Sequence, residues 1–391
     1  MKIPLSAPDV NEEDIRAVSD VLRTSRLSLG PKLEQFEQAI AAYGGASDAV
    51  AVNSGTSALH LCLRALGVGE GDEVIVPSFA FIAVANAVRH ERATPIFVDI
   101  EPDTLNLDPS RIESAITFRT RAIIVVHTFG CPANLEAILA IARRHALRII
   151  EDASEAIGAE YKGRRVGVFG DAGIFSFYPN KQITTGEGGI VVTQNPEISR
   201  FVRKIRNQGR DDPESWFQHS ELGYNYRISD INCALGIEQL KRIDPILMRR
   251  ESIARQYTQV LGDRLEFVLP PLNVPFGRIS WFVYVIRLGM QFTQLDRDWI
   301  VREMHLRGIG LGRYFAPIHL QPVYKGWATP GILPVTEQIA SRAIALPFFN
   351  RIQNDQIEEV CSTLIELADS ASRMEKRNVN RPKLRTQSVG G

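Results

Sequence analysis

The chain has 391 residues, more than one compact core holds, and its 45% hydrophobic and 23% charged residues are the mix of a folded globular protein rather than a disordered or fibrous one. Lys plus Arg and Asp plus Glu balance at 45 each, so no overall field draws it to nucleic acid or to an acidic membrane. Its four cysteines form no CxxC pair, which argues against a disulfide framework or a metal site and for a reducing cytoplasm, and no apolar run approaches the roughly 18–20 residues of a membrane helix.

In chain order, Met1 to Leu5 leads into an acidic stretch, and no signal peptide is expected. From about residue 48 to 193 the pattern alternates. Short β-branched runs stand at Val50–Val52, Val74–Val76, Ile96–Ile100, Ala122–Val126, Arg148–Ile150, Ile174–Phe177 and Ile190–Val192. Between several of them, apolar residues recur three and four apart, as in Leu59, Cys62, Leu63, Leu66 and in Leu135, Ile138, Leu139, Ala142, which marks helices. Asp108-Pro109-Ser110 reads as a helix start. Alternating β and α segments predict an α/β fold with a doubly wound, mostly parallel sheet, which binds ligands beyond the carboxyl ends of its strands. After about residue 240 the character changes. A long polar helix from Asp244 to Leu261, Pro270-Pro271, a strand-like Trp281–Leu288 and helices near Leu295–Arg307 and Gln353–Ala368 predict a smaller C-terminal α+β domain. The expected division is 1–245, with the first residues free to pack on the smaller unit, then 246–374, then a basic, polar tail over 375–391 expected to be disordered.

Four features carry chemistry. Asn53-Ser54-Gly55-Thr56-Ser57 follows a strand and opens a helix, where free N–H groups favour an anion; alone it reads first as a plain N-cap on Ser54 or Thr56. Asp152 ends the apolar strand Ile149-Ile150-Glu151, where a carboxylate can hold a pyridine nitrogen protonated; the bland reading is a loop-capping carboxylate. Lys181 follows the strand Phe175-Ser176-Phe177 and precedes the turn Thr184-Thr185-Gly186-Glu187-Gly188-Gly189. Most lysines are surface residues, but one perturbed by burial or by a nearby cation can form a Schiff base, and Ser176 and the threonines could supply hydroxyls to a phosphate. Phe79 or Phe81 could stack on a flat ring, though a phenylalanine there is more often core. An anion nest, a carboxylate, an aromatic ring and a lysine, each after a strand, are together what a phosphorylated pyridine aldehyde requires.

The stretch SFYPNKQITTGEGG, Ser176 to Gly189, is the most specific of a set that also includes Leu27 to Pro31, Asn53 to Thr56, Pro95 to Asp99, His127 to Pro132, Glu151 to Gly158, Gly223-Tyr224-Asn225-Tyr226-Arg227 and Tyr314 to Pro322. On these motifs, from Pro4 to about Leu367, the chain resembles the DegT/DnrJ/StrS family of sugar aminotransferases, of the aspartate-aminotransferase fold (fold type I). The resemblance implies pyridoxal 5'-phosphate (PLP) as cofactor, a nucleotide-linked keto sugar as substrate and L-glutamate, becoming 2-oxoglutarate, as donor, for polysaccharide or secondary-metabolite sugars. It implies that Lys181 holds the cofactor aldehyde, Asp152 its ring nitrogen, Phe81 (rather than Phe79) its ring, and Gly55, Thr56 and Ser176 its phosphate. Asn225 would reach the phosphate of a neighbouring subunit, giving a homodimer with shared sites. Glu155 stands where many members carry Gln or His near the phenolic oxygen; it is similar to perosamine-type members. Arg313 and His319 are implied on the substrate side, whereas His127 reads first as structural. The TTGEGG turn resembles members acting on 4-keto rather than 3-keto sugars. Competing readings are a keto-cyclitol or 3-keto-sugar aminotransferase, and an inactive regulatory protein on the same scaffold. A dehydratase reading is weak, because those relatives replace the lysine with histidine.

Overall fold

The computed structural model describes residues 1–210, 218–262, 264–327 and 332–379. Its centre is a seven-stranded sheet of β1 (Asp48–Val52), β2 (Glu73–Pro77), β3 (Thr94–Val98), β4 (Thr120–Val126), β5 (Arg148–Asp152), β6 (Ala172–Ser176) and β7 (Gly189–Thr193), at the seven places the β-branched runs predict. The order across the sheet is β1-β7-β6-β5-β4-β2-β3. Only β7 runs against its neighbours, pairing antiparallel with both β1 and β6. The other six strands therefore end at one edge of the sheet.

Side chains along a strand point alternately to the two faces. Ala49, Ala51, Ile75, Ile123, Val125, Ile149 and Phe175 pack in one cluster, while Val50, Val52, Val74, Val76, Ile124, Ile150 and Ile174 pack in another on the opposite face. Burial on both faces is why the strands read as continuous apolar runs. Helices cover both faces. Among them are α1 (Glu12–Leu22), started by a capping box between Asn11 and Asp14, and α2 (Pro31–Gly44), ended by Gly45 at φ 72°. α3 (Gly55–Ala65), α4 (Ala83–His90), α5 (Leu135–Arg144) and α6 (Pro196–Arg206) follow strands of the sheet. The helix predicted at Asp108 is only one turn, Pro109–Ile112, before a tight 3-10 turn leads to β4.

α7 (Asp230–Lys241) and α8 (Ile243–Leu261) lead into the C-terminal part. The start of α8, through Ile243, Ile246 and Leu247, packs with the large sheet. Its later turns, through Ile253, Ala254, Tyr257 and Leu261, pack in a separate cluster together with Ile3. This second cluster is built on a three-stranded sheet of β8 (Phe267–Val268), β9 (Tyr284–Leu288) and β10 (Ala343–Leu346), with α9 (Gln294–Leu306) and α11 (Asn354–Val379), while α10 (Pro334–Ala340) packs through Ile339 and Ala340 in a further cluster with Phe79, Phe129 and Phe282. α11 continues past residue 374 to Val379, into the start of the expected tail; residues 380–391 lie outside the described residues.

Candidate active site

A cavity of about 440 Å³ opens at the carboxyl edge of the large sheet. Its wall includes Gly55 and Thr56 after β1, Phe81 after β2, Asp152 and Glu155 at and after β5, and Ser176 and Lys181 at and after β6. Seven positions far apart in sequence meet because parallel strands deliver their following residues to one edge.

The nest at α3 is built from the cap outward. Ser54 Oγ accepts the N–H of Ser57 at 3.1 Å, and Ser57 Oγ donates to Asn53 Oδ1 at 2.7 Å. This leaves the first-turn N–H groups of Gly55 and Thr56 without an intrahelical acceptor. A Cβ at Gly55 would stand 2.9 Å from Ser176 Cβ and 3.1 Å from its hydroxyl, so only glycine lets the helix start this close to β6.

Asp152 is 8% exposed, and its Oδ1 accepts the Ser154 N–H at 3.0 Å. Its neighbour Glu151 points into the opposite face and is fully buried. Burial alone would raise the Glu151 pKa, but His127 and the N–H groups of Gly167 and Gly170 outweigh it and hold the carboxylate below its ordinary range. His127 lies 3.1 Å from Glu151 through Nε2, and its Nδ1 accepts the Ala133 N–H, so both its nitrogens serve the structure.

Lys181 Nζ lies 3.6 Å from Glu155 Oε1 and 4.1 Å from the centre of the Phe282 ring. The other Glu155 oxygen accepts the Phe129 N–H at 2.9 Å. Burial raises the Glu155 pKa, Lys181 and the Phe129 N–H pull it back, and Asp152 pushes it up again; the net displacement is upward. The lysine backbone is also anchored: Arg250, buried on α8, donates to the carbonyls of Phe282 at 3.0 Å and Lys181 at 3.3 Å.

Of the two phenylalanines, Phe81 is 63% exposed and on the cavity wall. Phe79 is fully buried, edge-on to Phe129 and Phe315. Three expectations are corrected. Thr184 and Thr185 do not face a ligand: their hydroxyls close their own turn on the carbonyls of Phe177 and Glu187. His319 does not reach the cavity, because it is 2% exposed, with Nδ1 2.6 Å from Ser78 Oγ and Nε2 3.1 Å from Glu337. Arg313 pairs with Asp298 at 3.3 Å in a separate groove along α9. The two flank Tyr314 and Phe315, which do line the cavity. Asn225 is exposed and off the cavity of its own chain.

Sequence reasoning missed Tyr178, Asn180, Glu187, Phe282, Tyr314 and Phe315 as wall residues. Phe282 gave no signal, because an aromatic residue in a strand-like run reads as core. Asn180 Oδ1 is buried without a hydrogen-bond partner among the described residues, beside Lys181.

The sequence pattern of the DegT/DnrJ/EryC1/StrS aminotransferase family matches residues 8–365. The chain belongs to this family. The aminotransferase is 40% identical over 366 residues to GDP-perosamine synthase of Caulobacter vibrioides, covering 93% of this chain and 97% of that one. It superposes on S. venezuelae DesV with a TM-score of 0.87 at 37% identity, covering 94% of this chain and 99% of that one. It superposes on the PMP form of the putative sugar aminotransferase Spr1654 from Streptococcus pneumoniae with a TM-score of 0.92 at 27% identity, covering 96% and 100%. It is a PLP-dependent sugar aminotransferase of fold type I. The cavity fits that cofactor: the glycine start of α3 with the Ser176 hydroxyl suits a phosphate, and Asp152, Phe81 and Lys181 suit a charged ring bearing an aldehyde.

Proposed function

We propose that the enzyme moves the amino group of L-glutamate onto C-4 of a nucleotide-linked 4-keto-6-deoxyhexose. The observation that carries this reading is the meeting of Lys181, Asp152, Phe81 and the Gly55–Thr56–Ser176 nest on one cavity. When bound there, PLP supplies an electron sink and a carrier for the amino group. Asp152 supplies the fixed negative charge that keeps the ring nitrogen protonated. Phe81 would cover the ring, and Gly55, Thr56 and Ser176 would hold the phosphate. Lys181 Nζ would hold the aldehyde, and its amine is placed to move protons at the substrate carbon. Glu155 would stand near the phenolic oxygen; burial displaces its pKa upward, and its Oε1 lies 3.6 Å from Lys181 Nζ.

The choice of a 4-keto sugar is supported by the 40% identity to GDP-perosamine synthase over 93% of this chain. The Thr184-Thr185-Gly186-Glu187-Gly188-Gly189 turn and Glu155 support it further, as features similar to 4-keto members. The deciding experiment is incubation with glutamate and matched nucleotide-linked 3-keto and 4-keto sugars, with the product assigned by NMR. Amination of the 3-keto sugar alone would refute the regiochemistry; no amination of either would refute the substrate class.

The enzyme is also proposed to be a homodimer with shared sites. Among the described residues lining the cavity, Lys181 is the only cation, against the carboxylates of Asp152, Glu155 and Glu187. A phosphorylated cofactor, a nucleotide diphosphate and a dicarboxylate donor bring more negative charge than one lysine balances. The further donors come from a second copy, whose exposed Asn225, beside Arg227, is the candidate.

A further inference from the structure

The segment bearing Asn225 is held by a buried polar cluster that the chemistry above does not use. Thr56, His60 and Arg64 lie four residues apart on one face of α3. His60 is 4% exposed. Its Nδ1 is 3.2 Å from the Tyr226 hydroxyl, and its ring is 4.8 Å from Tyr224. Tyr224 and Tyr226 stack on each other at 4.9 Å and 10°. On the far side, His60 Nε2 is 2.5 Å from Glu91 Oε1 at the end of α4, a close polar contact rather than an aligned hydrogen bond. Arg64 Nη1 is 3.7 Å from the other Glu91 oxygen.

The backbone completes the mount. The N–H of Tyr226 donates to Arg206 O at 3.0 Å, and the N–H of Asn53 donates to Tyr226 O at 3.0 Å. Asn225 pairs with Asn207 in a β-bridge, where neighbouring side chains alternate in direction. The two tyrosines turn inward to His60, and Asn225 turns outward and is exposed.

We propose that His60 is a positioning residue: braced by Glu91, it fixes the Tyr224–Asn225–Tyr226 segment so that Asn225 is presented to the cofactor phosphate of a second copy of the chain. The proposal rests on the shared-site reading given above. A buried histidine and glutamate between two helices cost desolvation, and apolar side chains would pack there at least as well. What the polar pair adds is direction, since it gives the Tyr226 hydroxyl one place to go. Burial, with Tyr224 and Glu91, holds that hydroxyl above its ordinary pKa, so it remains a donor. One helix thus cradles a phosphate with its first turn and aims a ligand at another phosphate with its second.

The test uses heterodimers purified through two different tags. The readout is the PLP concentration that half-saturates fixation on Lys181 by borohydride, which reports only on the site that retains the lysine. In the first pairing, Tyr226→Phe and Lys181→Ala share one chain and the partner is wild type. The remaining lysine site then faces the altered segment, and half-saturation should rise about three- to tenfold, the worth of one hydrogen bond. In the second pairing, Tyr226→Phe and Lys181→Ala are on opposite chains, and half-saturation should stay at the wild-type value. His60→Gln should repeat the pattern, whereas Tyr226→Phe keeps the ring and so the fold. A rise in the second pairing instead, or in neither, overturns the proposal, because His60 would then act only on its own helix or not at all. Asn225→Ala, run in the same pairings, separates the two ideas. No rise in its first pairing defeats the shared-site reading, while a rise for Asn225→Ala without one for Tyr226→Phe defeats the positioning role alone.

Discussion

Lys181 and Glu155 stand 3.6 Å apart in the cavity wall, and each makes a prediction. Lys181→Ala should abolish transamination and borohydride fixation of the cofactor while the far-UV spectrum stays native; retained turnover would remove the lysine from its role. Asp152→Asn keeps the shape and removes the charge, so turnover should fall by orders of magnitude, measured as kcat/KM with glutamate; a loss of only a fewfold would place another group at the ring nitrogen. For Glu155 the folded pKa lies above the ordinary 4.5. The folded state therefore binds the extra proton, and that stabilisation is complete below about 4.5 and is lost as pH rises through the folded value. Glu155→Gln imitates the protonated form and should gain stability relative to wild type as pH rises toward neutrality. Thermal unfolding midpoints of the cofactor-free proteins across that range check this, and parallel curves would contradict it.

At the scale of elements, α3 shows what was legible and what was not. Its start was readable because a strand followed by Asn53-Ser54-Gly55-Thr56 is a local pattern, and so was Lys181 between its strand and its turn. The seven strands were readable because burial on both faces leaves unbroken apolar runs. That Arg313 and His319 stand off the cavity of their own chain was not readable, because adjacency to wall residues says nothing of direction: one residue away from Tyr314, the chain already faces another groove. Phe282 and Asn180 were missed because their roles come from packing between distant segments. The closeness of Gly55 to Ser176 was equally invisible, and it makes a prediction. Gly55→Ala should leave α3 formed, since alanine favours helix, yet push the helix start off β6. PLP binding should weaken by up to about thirtyfold, equivalent to the roughly 2 kcal/mol an anion gains at such a terminus. Absorbance titration of the cofactor-free variant measures it, and an unchanged affinity would show that the nest does not hold the phosphate.

For the whole molecule, sharing of sites predicts complementation. Mixing Lys181→Ala and Asn225→Ala chains, each inactive or weak alone, gives heterodimers with one complete site, and random reassortment should restore about one quarter of wild-type activity. Light scattering on the native protein checks the premise, and a monomer at working concentration would end it. The family and the α/β architecture are visible in the chain's motifs, whereas the proposal of a shared site leans on the balance of charge around the cavity, which only the assembled wall displays.

Arg250 has a consequence in time rather than in space. It is 3% exposed, burial pulls its pKa down to about 10, and it spends its charge on backbone carbonyls of Lys181, Trp281 and Phe282. During synthesis Lys181 leaves the ribosome 69 residues before this anchor, and Phe282 emerges 32 residues after it. The nest, the carboxylate and the lysine are thus all translated before the clasp that sets the lysine loop can close. A nascent chain halted before α8 carries every charged group of the cavity but lacks the Arg250 clasp and the Phe282 ring, so the lysine loop reaches its final setting only after the C-terminal part has docked.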